Sequence, residues 1–127
     1  MSVEFNDGGT APVTLDGSAL ARLRELDPDG RHDVVNRVLA AYETSLERLL
    51  AQLRVESEAA DASVVAGIAH TLKSSSASVG ALALAAACSD IERRLRAGAA
   101  GDLSADVQRL LAEGEAALRA VGAMLRP

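Results

Sequence analysis

Leucine, valine and isoleucine recur at intervals of three and four along most of this chain, with polar residues between them. On a helix of about 3.6 residues per turn, that spacing gathers the apolar side chains on one face. The pattern is clearest from about residue 32 to 53, where Val35, Val38, Leu39, Tyr42, Leu46, Leu49, Leu50 and Leu53 make one stripe. A shorter stripe of Leu20, Leu23 and Leu26 comes before it, with Asp16 or Ser18 as N-cap. The turn-forming run "DPDG", residues 27 to 30, separates the two. After the polar connection "RVESEAAD", Asp61 can cap a third helix that ends near Gly80, a good C-terminal stop. A fourth helix is expected from about 81 to 96, stopping at "AGAAGD". The fifth starts near Asp102 and carries Val107, Leu110, Leu111, Leu118 and Val121. Gly114 and Gly122 weaken it locally by about 1 kcal/mol each relative to Ala. Residues 1 to 14 show no periodicity and read as a flexible N-terminal arm, which leaves 15–127 as the folded domain. No strand pattern is present, so the predicted fold class is all-α. It is an up-down-up-down four-helix bundle with a short additional N-terminal helix closing one end.

Composition narrows the picture. The 127 residues suit one domain, and 49% of them are hydrophobic, enough to build a core. Only 2% are aromatic, so that core is made of Leu, Val, Ile and Ala, which favours helices over a β-sandwich. A net charge of −5 argues against a nucleic-acid partner. The single cysteine, Cys88, excludes an internal disulfide. No apolar run approaches the roughly 20 residues needed to span a bilayer, and the N-terminus lacks signal-peptide character. The expectation is a cytoplasmic, monomeric domain.

The chemistry concentrates in "AHTLKSSSASVGA", residues 69 to 81. On a helical wheel, Val65, Ile68, Leu72, Ser76 and Val79 share the core side. His70 falls about 155° away, on the solvent side. Its neighbours along that face are Ala66, Gly67, Lys73, Ser74 and Ala77. Apart from Lys73 these are short, where an exposed helix face normally carries Glu, Lys, Arg or Gln. A cleared face gives another molecule access to the imidazole. A neutral imidazole is a nucleophile. If it attacked a phosphoryl group, Lys73 at i+3 and a serine hydroxyl at i+4 could stabilise the new negative charge. The residues alone leave plainer readings open: a surface histidine without a role, or an Ala/Ser-rich helix packed against a second subunit.

The same stretch resembles the active-site motif of histidine-containing phosphotransfer (HPt) domains, A-H-x-L-K-G-[SA]-x-x-x-x-G. His70 matches the phosphorylated histidine, Leu72 the core leucine, Lys73 the lysine, Ser75 the small residue and Gly80 the closing glycine. Residues 87 to 98, "ACSDIERRLRAG", resemble the family's next helix. One position departs, because Ser74 stands where the family commonly has Gly.

The resemblance implies a phosphorelay intermediate. His70 would take a phosphoryl group from a receiver-domain aspartate and pass it to another receiver. Lys73 would stabilise the phosphate, and Ala66, Gly67, Ser74 and Ala77 would form the docking surface. The expected partners are receiver domains of response regulators or hybrid sensor histidine kinases. No cofactor is expected on this chain, and Mg²⁺ would be carried by the receiver. No phosphate loop, nucleophile elbow or metal-ligand cluster is apparent, so an autonomous ATP-dependent kinase is not expected. The alternative is a helical-bundle adaptor or dimerisation module that binds receivers without carrying phosphate. The dimerisation module of a sensor kinase fits less well, because Thr71 follows the histidine and no proline lies between Pro28 and Pro127.

Overall fold

A computed structural model describes residues 15–56, 61–98 and 101–127. The arm expected at residues 1–14 and the middle of the "RVESEAAD" connection lie outside these residues. The described chain is all-α: α1 (Gly17–Glu25), α2 (Val34–Glu56), α3 (Ala62–Val79), α4 (Leu82–Arg96) and α5 (Leu103–Leu125). The most extensive packing is α3 on α4 and α2 on α5. Contacts of α4 with α5 and of α2 with α3 close the ring, and α1 lies against α2 and α3. None of the helices is long and apolar enough to cross a membrane, among the described residues.

The core is the apolar stripe set read from the sequence. Leu39, Leu46, Leu50 and Leu53 of α2 are fully buried with Val65 and Leu72 of α3, Leu84 and Ile91 of α4, and Val107, Leu110 and Val121 of α5. Gly114 is used where α5 meets α2: a Cβ there would stand 2.5 Å from Leu50 Cδ2. Its helix-weakening cost is therefore set against close packing. Ser76, the polar member of the α3 core face, is satisfied by the Tyr42 hydroxyl at 2.7 Å. Burial pushes the Tyr42 phenol up to about 12, so it serves as a neutral hydrogen-bonding group.

Two predicted boundaries need correction. Leu26 does not share the α1 face. It follows the helix as its cap and is 71% exposed. The second helix starts at Val34 rather than near 32 and runs to Glu56 rather than 53. Asp27 explains the late start, because its carboxylate accepts from the backbone N–H groups of His32 and Val34. Burial pushes this carboxyl up, but those backbone donors together outweigh it and leave it below the ordinary aspartate value. Asp33 then turns the chain with φ 52, a left-handed conformation that Asp tolerates.

The α3–α4 turn positions the site. Asp61 accepts from Ser63 N at 2.8 Å to start α3. At the far end, Gly80 has φ 85, Gly80 N donates to Ala77 O at 3.1 Å, and Ala81 N donates to Ser76 O at 2.8 Å. This pair of bonds is a Schellman motif, and only Gly adopts its left-handed residue without strain. A Cβ on Gly80 would also lie 2.5 Å from Asp16 N, the start of the α1 cap. The tight turn folds α4 directly back along α3.

Candidate functional site

His70 lies ten residues before that turn and Glu92 twelve after it, so the antiparallel helix pair brings them side by side. His70 Nδ1 is 2.8 Å from Glu92 Oε2. The two side chains differ sharply in environment: His70 is 64% exposed and Glu92 8%. Helical side chains lean towards the N-terminal end of their helix, which carries Lys73 back along α3 towards His70. Lys73 Nζ reaches Glu92 Oε1 at 2.7 Å. Arg96, one turn after Glu92 on α4, donates from Nε to Oε2 at 2.8 Å. One carboxylate thus binds an imidazole, an ammonium and a guanidinium.

Hydrogen bonds from Lys73 and then Arg96 hold the Glu92 carboxyl down at about 2, overcoming the upward push of burial, and His70 adds to them. Glu92 is therefore ionised and can only accept. The hydrogen in its bond to His70 must sit on Nδ1. In neutral His70 this leaves the ring lone pair on Nε2.

The predicted site residues separate into two groups. Gly67, His70, Ser74 and Ala77 are exposed, and Lys73 is partly so. Ala66 is not on the surface: it is 5% exposed. It sits two turns before Lys73, on the same flank of α3 as the side chain that reaches α4. Nothing in the fold accounts for the glycine at 67. Its φ is not left-handed, and a Cβ there would meet nothing within 4 Å. Cys88 lies on α4 near the cluster but is fully buried. Burial, with the Glu92 charge added, pushes its thiol up to about 12, so it stays a neutral, buried thiol.

Sequence reasoning missed Glu92 and Arg96 as members of the site. The available signal was the turn itself: counting outwards from Gly80 along two antiparallel helices pairs the His70 level with the level of residues 91 and 92. Among the described residues, no group of three or more His, Cys, Asp or Glu side chains is arranged to hold a metal ion.

Comparison with curated proteins yields no match, and neither does comparison with solved structures. A family model described as the Hpt domain matches residues 37–122, which covers the site from His70 to Arg96. The matched segment is more than half of the 127 residues, and the chain therefore belongs to the Hpt domain family.

Proposed function

We propose that this chain is a phosphorelay intermediate that accepts a phosphoryl group on His70 Nε2 from a receiver-domain aspartate and passes it to a second receiver. The observation that carries the reading is the Glu92 bond to His70 Nδ1, which leaves Nε2 as the nucleophile on an exposed edge. Attack forms the Nε2–P bond and breaks the bond from phosphorus to the aspartyl oxygen. The receiver regains its carboxylate. The hydrogen on Nδ1 stays in place, so the phosphorylated ring carries positive charge beside Glu92. Transfer onward is the reverse reaction on a different receiver.

The partner supplies the rest of the chemistry. Mg²⁺ on the receiver would neutralise the phosphoryl oxygens, so this chain needs no metal. Its own contribution is a positioned nucleophile and a nearby cation, Lys73. Docking would use Gly67, Ser74 and Ala77, and the open space around Gly67 supports that role. Ala66 has no part in it. A non-phosphorylated adaptor would have no need for a buried carboxylate that fixes the histidine tautomer, so the carrier reading is favoured.

The test is incubation with phosphorylated receivers, followed by assay for acid-labile, base-stable phosphate on the protein. His70→Gln should fold normally and accept none, whereas His32→Gln should accept as much as the parent. Undiminished label on His70→Gln would overturn the assignment.

A further inference from the structure

Lys73 would be shared between two anions once His70 carries a phosphoryl group. In the structure its ammonium is bound to Glu92 Oε1, with the imidazole of His70 on Oε2. A phosphoryl group on Nε2 would compete with Glu92 Oε1 for the Lys73 ammonium and weaken its hold on the buried carboxylate. Oε2 would keep Arg96 and the His70 ring, but a buried carboxylate with a weakened partner on Oε1 is less well paired, and this would oppose the transfer. Arg96 offers the remedy. It uses only Nε, on Oε2, and its side chain is 58% exposed. The guanidinium fork presents Nε and an adjacent Nη as parallel donors, a spacing that matches the two oxygens of a carboxylate. A bond from Nη to Oε1 would then pair both carboxylate oxygens with one guanidinium.

We propose that Arg96 is a positioning residue for phosphoryl transfer: when Lys73 moves to the phosphoryl group, Arg96 closes over both Glu92 oxygens and keeps the carboxylate paired. The inference rests on the phosphocarrier reading. Arg96 acts here through Glu92 and does not touch the phosphoryl group. Lysine is a poor substitute, because a single ammonium cannot present the two parallel donors.

The experiment measures the rate of His70 phosphorylation by phosphoramidate, a small donor that needs no docking surface. Arg96→Ala and Arg96→Lys are compared in the parent and in Glu92→Gln, where no buried charge needs a partner. Melting temperatures confirm that each variant is folded. In the parent, Arg96→Ala should slow phosphorylation by about three- to tenfold. Arg96→Lys should recover only part of that loss. In Glu92→Gln, Arg96→Ala should change the rate by less than about 1.5-fold, because the two substitutions act through one contact. Equal slowing in both backgrounds would mean that Arg96 acts on the phosphoryl group directly, and would overturn the proposal while leaving the carrier function standing. No slowing in either background would also overturn it. If phosphoramidate does not label His70 in the parent at all, the carrier reading falls and this proposal falls with it.

Discussion

One face of α3 carries Val65, Ile68, Leu72, Ser76 and Val79, all buried, and the other carries Gly67, His70, Ser74 and Ala77, all exposed. On the first face each residue has a use inside the fold. The aliphatic side chains join the core, and Ser76 has its hydroxyl partner in Tyr42. On the second face only His70 has a side-chain partner among the described residues, Glu92. The helix's two glycine positions show the difference most plainly. Gly80 is required by a left-handed backbone and by the approach of Asp16, whereas Gly67 is helical with open space around it. A glycine in a helix interior costs roughly 0.5–1 kcal/mol against Ala. A residue that destabilises the helix and serves no packing purpose agrees with the docking surface proposed for this face.

This contrast is broken most severely at the turn. Gly80→Ala should destabilise the protein by at least about 2 kcal/mol, because a left-handed residue with a Cβ is strained and the Cβ meets Asp16 backbone. Denaturant unfolding reads the effect directly. A loss of less than about 0.5 kcal/mol would mean that α1 is not fixed against this turn.

On the exposed face the expected loss is of function. Ser74→Arg adds bulk and charge one turn from His70 at a solvent-facing position. Stability should change by no more than about 0.5 kcal/mol. Transfer from a receiver should fall by roughly tenfold or more, equivalent to about 1.4 kcal/mol, while phosphorylation by phosphoramidate should fall much less. Equal loss with both donors, or none with either, would show that the small residues of α3 have some other purpose. Gly67→Ala sharpens the same point with a smaller effect of the opposite sign. It should stabilise the protein by about 0.5–1 kcal/mol, and any slowing should again be confined to the receiver-dependent reaction.

How much of this was legible in the sequence depends on how far apart the cooperating residues lie. The core face of α3, the Asp61 cap and the Gly80 stop are local features, set by a period of 3.6 and by cap chemistry, and they are found where the sequence places them. The start of α2 was less legible, because Asp27 caps it from seven residues away through a turn that includes a left-handed Asp33. Ala66 was misplaced for a related reason. A helical wheel gives its angle but not how much of the flank of α3 the neighbouring helices cover, and Ala66 is buried. Glu92 and Arg96 lie within the stretch 87 to 98 that resembles the family's next helix, and nothing local to that stretch links them to His70. Their role appears only when α4 is folded back on α3 and a carboxylate is found beneath the imidazole.

That carboxylate gives a pH signature, the smallest effect expected here. Glu92 is held at about 2 against an ordinary 4.5, so the fold favours its ionised form. Its contribution to stability is complete above about 4.5 and is lost as pH falls towards about 2. The difference in melting temperature between the parent and Glu92→Gln should therefore be constant at higher pH and shrink through that window. A difference that does not vary with pH would show that Glu92 is not engaged as an anion.

The most direct test of the whole account is the position of the phosphate on the ring. Nitrogen-15 and phosphorus-31 spectra of the phosphorylated protein distinguish substitution at Nε2 from substitution at Nδ1. Because Glu92 occupies the Nδ1 side at 2.8 Å, phosphate is expected on Nε2 of His70 alone. Phosphate on Nδ1, or on any residue other than His70, would contradict it.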